Sequence, residues 1–184
     1  MKAILIAAMC VLPAMGEEIL PWTPAPEKSY FKQAFGRGSF ERAAASTLFA
    51  EITNSPKEWG RTWDGAGKRY ASAYGKHLVN TSVRYSVATL RHEDLRYFPS
   101  AGKSVGARLR HALVSTVVAR NTKTGSSEMA LGRVSGAFAG GFVSRTWMPD
   151  RYHTFSSGMA SGGISLGIDA GANVLREFWH RDRH

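Results

Sequence analysis

Glycine recurs at every fourth position in two stretches of the carboxyl-terminal half of the chain. The first row comprises Gly132, Gly136 and Gly140, and the second comprises Gly163, Gly167 and Gly171. Gly158 and Gly162 form another such pair in the second stretch. A spacing of four places each row on one face of an α-helix, where the missing side chains let a second backbone approach closely. Pro149 and Asp150 separate the two stretches, so the sequence predicts an antiparallel hairpin of tightly packed helices.

The remaining segments also favour helices. Apolar residues recur at helical intervals over about residues 39–54 and 103–120, and an aromatic-rich segment over 57–90 has the same period. A polar turn centred on Gly125 follows. The sequence therefore predicts a mostly α-helical bundle of about five helices, with loops or strands as the alternative for the glycine-rich stretches.

The amino terminus has the composition of an export signal. Lys2 precedes an apolar run over residues 3–12, and small residues follow at Ala14 and Gly16. This order is typical of a cleavable secretory signal ending at residue 16. The apolar run is about half the length of the roughly 20 residues that a membrane span needs.

Prolines dominate the next segment. They stand at Pro21, Pro24 and Pro26, too closely spaced for a helix or an interior strand. The sequence predicts an extended leader over residues 17–37 and one helical domain over 38–184. The single cysteine, Cys10, lies in the signal, so the mature chain would form no disulfide.

The chain is strongly basic, with 24 Lys and Arg against 14 Asp and Glu and a formal charge of +10. Such an excess favours anionic partners, among them acidic lipid headgroups and anionic envelope polymers. The basic residues are scattered rather than clustered, so a merely solvated basic surface is the alternative. Nothing in their arrangement is specific for nucleic acid.

Aromatic residues recur along the predicted helix over 57–90. The first four of them are Trp59, Trp63, Tyr70 and Tyr74. At 100° per residue they fall on one side of a helix, which favours a face packed on the core. An aromatic belt at a membrane interface or a surface that stacks on sugars is the alternative. Several glycines weaken the helix prediction and favour a break near Gly65.

Residues with catalytic chemistry are sparse. The only cluster suited to acid–base chemistry is His92-Glu93-Asp94, which lies between arginines and is predicted to form a solvated, salt-bridged connector. No second histidine stands at the spacing that helical zinc sites use. The sequence therefore predicts no catalytic residue, metal or cofactor.

Residues 155–175 are long enough to cross a bilayer but only marginally apolar. Their large apolar side chains favour insertion by about 0.5 kcal/mol each, whereas Asp169 opposes it by about 3 kcal/mol at depth. These energies therefore favour peripheral association with a membrane over a spanning helix.

Several segments of the sequence resemble those of a known group of proteins. They are the run over 88–98, the stretch over 108–112, the glycine row over 132–141, the segment Trp147-Met-Pro-Asp150 and the closing Arg176-Glu-Phe-Trp179. In these, the chain resembles a group of small exported bacterial proteins with glycine-zipper helices and no assigned activity. The resemblance implies an envelope location and contributes no catalytic residues.

The expected function is that of a non-enzymatic envelope protein, membrane-associated through tight helix packing and able to self-associate. A soluble periplasmic module that binds an anionic polymer is one alternative, and a small outer-membrane β-barrel is another.

Overall fold

The computed structural model describes residues 30–100 and 104–179. The chain is mostly α-helical, which confirms the predicted fold class. The helices are α1 (Tyr30–Phe35), α2 (Arg37–Ile52), α3 (Trp63–Arg91), α4 (Val105–Val114), α5 (Leu131–Val143) and α6 (Phe155–Trp179). Short 3-10 turns occupy Lys57–Trp59, Ser144–Trp147 and Asp150–Tyr152.

A small antiparallel sheet accompanies the helices. Its strands, in spatial order, are β1 (Glu93–Asp94), β2 (Val118–Asn121) and β3 (Ser127–Met129). Glu93 pairs with Asn121, and Gly125 takes a positive φ of 71° in the turn between β2 and β3. The helix predicted over 103–120 is therefore too long, because the β-branched residues after Val114 lead into a strand.

The predicted leader is also too long. The signal and residues 17–29 lie outside the described residues, but Tyr30–Phe35 is helical rather than extended. Tyr30 anchors this helix on α3, since its hydroxyl lies 2.8 Å from that of Ser82 and its ring packs edge-on against Tyr85.

The helix α3 does not break at Gly65. It begins at Trp63, because the Thr62 side chain accepts a hydrogen bond from the backbone N–H of Gly65 and so caps the first turn. Added side-chain atoms at Gly65 would collide with the backbone of Trp59, so only glycine fits there.

The first glycine row lies at a very close helix crossing. A Cβ atom on Gly132, Gly136 or Gly140 would lie 2.8, 2.6 or 3.1 Å from the nearest backbone oxygen of α3. Those oxygens belong to Arg84, Asn80 and Lys76, at the same spacing of four. The close partner of this row is therefore α3, not the second glycine-rich helix.

The second glycine row does not make the expected contact. A Cβ on Gly163, Gly167 or Gly171 would meet nothing within 4 Å among the described residues. The hairpin of α5 and α6 packs instead through Gly141, Gly158 and Gly162, where the backbones or the rings of Phe138 and Phe142 leave no room for a methyl group. The spacing of four alone could not distinguish these two faces of α6.

The interior is built from small and polar residues. Apart from glycines and Pro56, the buried apolar residues in the described part of the chain are alanines: Ala34, Ala43, Ala88, Ala112, Ala119, Ala130 and Ala137. Buried with them are charged side chains such as Arg69, Glu93, Arg133 and Glu177. Helices this close together leave space only for small side chains, so many large apolar residues lie on the outside.

The two glycine rows predict opposite effects of the same substitution. We expect Gly136→Ala to destabilise the fold by about 1–3 kcal/mol, because the new methyl group overlaps the Asn80 carbonyl and the Arg84 Cβ. Gly167→Ala should stabilise it by about 0.5–1 kcal/mol, because alanine is the better helix former and the site is open. Thermal and urea unfolding measure both, and a Gly167→Ala protein that is less stable than the parent would contradict the open face.

Candidate functional site

A cavity of about 530 Å³ opens beside the crossing of α3 and α5. Five arginines from five parts of the chain line it: Arg42 of α2, Arg84 of α3, Arg96 after β1, Arg133 of α5 and Arg176 of α6. The carboxylates in the lining are those of Asp94 and Asp169. The cavity therefore holds more positive than negative charge.

The two carboxylates neutralise only part of this charge. Asp94 is held by Arg96, whose Nη2 lies 2.7 Å from Oδ2 and whose Nε contacts both carboxylate oxygens. Asp169 accepts a longer hydrogen bond of 3.3 Å from Arg84 Nη1. Arg42, Arg133 and Arg176 have no ion-pair partner among the described carboxylates.

Arg69, which lies outside the cavity, is a buried arginine whose guanidinium is fully hydrogen-bonded within the fold. Its guanidinium donates hydrogen bonds to five acceptors, the carbonyl or side-chain oxygens of Glu51, Asn54, Ser55, Pro56 and Gly60. In Arg84, by contrast, Nη1 makes a long hydrogen bond to Asp169, and Nε is enclosed without a hydrogen-bond partner among the described residues. Arg145, outside the cavity, has an enclosed Nε of the same kind. The guanidinium of Arg84 is therefore less fully paired than that of Arg69.

The helix crossing is what brings Arg84 and Arg133 together. The Cβ of Arg84 would lie 2.8 Å from a methyl group on Gly136, so glycine at this position allows the two helices to meet at Arg84. Arg133 lies one turn before Gly136 on α5. Its Nη1 donates hydrogen bonds to the backbone carbonyls of Ser115 and Thr116, just after α4. Both guanidinium groups are thus placed by backbone packing.

Burial changes the acidity of both groups. Burial lowers the pKa of Arg84, and the nearby Asp169 opposes that shift. Burial, reinforced by repulsion from Arg84, lowers the pKa of Arg133 to about 10. Arg133 therefore stays charged at neutral pH, and the surroundings of both arginines make an additional negative charge favourable.

A second polar cluster adjoins the cavity and ties α6 to the rest of the chain. Tyr97, which lines the cavity, donates a 2.5 Å hydrogen bond to Glu177, and Arg108 Nε and the Ser100 N–H donate to the same carboxylate. The Glu177 side chain is only 1% exposed. Burial alone would raise its pKa, but these hydrogen bonds outweigh burial and lower the pKa.

The aromatic residues singled out in the sequence do not form one surface. Trp59 lies in a 3-10 turn before α3, and Trp63 is 95% exposed at the start of the helix. Tyr70 and Tyr74 stack on each other, and Tyr74 stacks at 5.1 Å on Phe40 of α2. Only the last two therefore follow the predicted core-facing arrangement, because the helix begins too late to include Trp59.

The cluster His92-Glu93-Asp94 is salt-bridged as predicted, but it is not solvated. Glu93 is buried and accepts hydrogen bonds from the backbone N–H groups of Leu131 and Gly132, so it caps the start of α5. Asp94 is buried in the cavity wall, and His92 is an exposed residue with positive φ. Within the described residues, no group of His, Cys, Asp and Glu is arranged to hold a metal ion.

Sequence reasoning missed the cavity arginines. They are spread from residue 42 to residue 176 and share no spacing, so only the fold brings them together. One local signal for Arg133 was available in the sequence. Arg133 directly follows Gly132, which belongs to the glycine row that predicts close helix packing.

Comparison with protein-family models, curated proteins and solved structures finds no match to this chain. No helix within residues 30–100 and 104–179 combines the length and the apolar character of a membrane-spanning segment.

The Glu177 cluster predicts a specific acid sensitivity. Because the folded-state pKa of Glu177 lies below its ordinary value of 4.5, its contribution is present above that pH and disappears as pH falls through the folded-state pKa. We expect Glu177→Gln to be less stable than the parent at pH 7 and to lose less stability on acidification. Urea unfolding at several pH values measures this, with the exposed Glu41→Gln as control. An unchanged acid profile in the Glu177 variant would contradict the assignment.

Proposed function

We propose that the protein is a non-enzymatic binding protein of the cell envelope whose arginine-lined cavity holds an organic anion. One observation carries this proposal: Arg42, Arg133 and Arg176 surround one cavity without a described carboxylate partner. Arg133 is buried beside other cations, and Arg42 and Arg176 are exposed and accessible to a ligand, so an anion in the cavity would be attracted by all three.

The chemistry of the lining selects the ligand class. A guanidinium group presents a planar fork of donors that matches two oxygens of a carboxylate or phosphate. The volume of about 530 Å³ lies within the usual range for small-molecule sites. A terminal group of an anionic envelope polymer offers the same oxygens, so this class of partner remains compatible with the site.

The envelope location rests on the sequence. The predicted export signal favours work outside the cytoplasm, and the basic charge of the chain favours a place beside anionic surfaces.

Membrane-surface association is a second candidate, favoured by a different observation. Large apolar side chains are exposed in groups on separate helices, for example Leu109 and Leu113 on α4 and Phe49 and Ile52 on α2. Contiguous exposed apolar surface is typical of interaction sites, and the basic charge would favour anionic membranes. Tight packing through glycine would serve here to keep the helices compact while the larger apolar residues face outward.

The anion proposal predicts opposite effects for two charge changes in the cavity. Arg176→Gln removes an exposed cation and should weaken binding of sn-glycerol 3-phosphate about fivefold, whereas Asp169→Asn removes a competing carboxylate and should tighten it severalfold. Isothermal titration calorimetry at low ionic strength measures both dissociation constants, and binding should weaken as salt is added.

Arg110→Gln is the matched control for these variants, because Arg110 is exposed on α4 and does not line the cavity. An equal loss in Arg110→Gln would mean that general surface charge, not the cavity, binds the anion. Absence of binding by the parent protein to both glycerol phosphate and inorganic phosphate would overturn the proposal.

The membrane candidate predicts flotation with vesicles. We expect the mature protein to float with phosphatidylcholine vesicles, and the double variant Leu109→Asn/Leu113→Asn to float less, because it loses two exposed apolar side chains. Thr89→Asn, at an exposed polar site on α3, is the control. Protein that stays at the bottom of the gradient would contradict membrane association through these side chains.

A further inference from the structure

We infer that the anion is the phosphate headgroup of an anionic glycerophospholipid, whose acyl chains lie along the outer face of α6. The inference rests on the proposed function, because it uses the same cavity. It adds that the ligand is amphiphilic and specifies where its apolar part binds.

Ile168 connects the cavity to an apolar helix face. It lines the cavity, yet 65% of its surface is exposed. Ile164 and Leu175 are 62% and 67% exposed, and at 100° per residue all three lie within about 40° of one another. The polar cavity therefore opens beside an uncharged, outward-facing strip of α6.

The second glycine row borders this strip. Gly163, Gly167 and Gly171 are exposed, and no described atom lies within 4 Å of where their side chains would begin. The isoleucines and the bare helix backbone beside them leave open apolar surface, on which a flexible acyl chain packs more readily than a rigid polar ligand does. The glycine row that faces no described atom thus borders the surface that the acyl chains would cover.

Positively charged side chains lie at the position proposed for the headgroup. Arg176 directly follows Leu175, and it lines the cavity together with Arg84 and Arg133. A phosphate in the cavity would accept hydrogen bonds from guanidinium groups while its acyl chains leave past Ile168. Charge complementarity and apolar contact thus meet at one edge of the cavity.

The length of the strip limits how much of an acyl chain it covers. From the cavity edge at Ile168, the strip extends by about 6 Å toward Ile164 and by about 10 Å toward Leu175. Both distances are shorter than the roughly 15 Å of hydrocarbon in one leaflet, so the strip covers the part of each chain nearest the headgroup.

Short-chain lipids below their micelle concentration separate headgroup from chain without a bilayer. We expect dihexanoyl phosphatidic acid to bind about tenfold more tightly than sn-glycerol 3-phosphate in calorimetry, the effect of roughly two buried methylene groups. The two ligands carry the same phosphate monoester and differ only in the acyl chains. Dihexanoyl phosphatidylcholine, which carries no net charge, should bind at least tenfold more weakly than the phosphatidic acid.

A matched pair of variants tests the strip. Ile164→Asn/Leu175→Asn should abolish most of the advantage of the lipid over glycerol phosphate and leave glycerol phosphate binding unchanged, because neither residue lines the cavity. Ile52→Asn, the same substitution at an exposed position on α2, should change neither. Thermal unfolding of each variant verifies that it is folded. We expect all of them to fold, because the substituted side chains are exposed.

The possible results are distinguishable. If glycerol phosphate and the lipid bind equally well, the anion site stands and the lipid inference is wrong. If neither binds, the anion proposal and the lipid inference both fail. Equal binding of phosphatidylcholine would overturn headgroup recognition. If lipid-free protein sediments as a dimer that Ile164→Asn/Leu175→Asn converts to monomer, the strip is a self-association surface and the inference is wrong.

Discussion

The close approach of α5 to α3 is the contact on which the rest of this fold depends. At Gly132, Gly136 and Gly140 even a methyl group would overlap the backbone of α3 or come unusually close to it. Helices at that separation leave space for alanine but not for leucine or phenylalanine, so the interior is assembled from small residues. The same contact places Arg84 and Arg133 beside each other, although they lie far apart in the chain.

Charged residues fill the space that large apolar side chains would otherwise occupy, and most of them are fully satisfied. Arg69 has five oxygen acceptors, Glu93 caps α5, and Glu177 accepts three hydrogen bonds. Such sites hold a fold in one arrangement, because a buried charge without its partner costs several kcal/mol. The arginine-lined cavity departs from this pattern, with more donors than acceptors, and for that reason it is our candidate site.

The exterior follows from the same packing. Apolar residues excluded from the narrow interior lie on the surfaces of α2, α4 and α6, and on α6 they border the cavity. An amphiphilic anion would satisfy both features at once, since its charge compensates the arginines and its chains cover the isoleucines. The proposed ligand thus complements the site, with its negative charge beside the arginines and its apolar chains beside the isoleucines. The anion and the chains can be tested separately.

By itself, the sequence determined the helical class, the polar turn at Gly125 and the presence of a face on α5 that must pack closely, because these depend on local spacing and backbone freedom. It also correctly paired Glu93 and Asp94 with arginines, though not their burial. Only the tertiary structure decided that α3 is the partner of the first glycine row and that the second row faces outward. A spacing of four specifies a helix face but not what lies against it. The cavity is the extreme case, because its arginines come from five separate segments and become neighbours only when the helices cross.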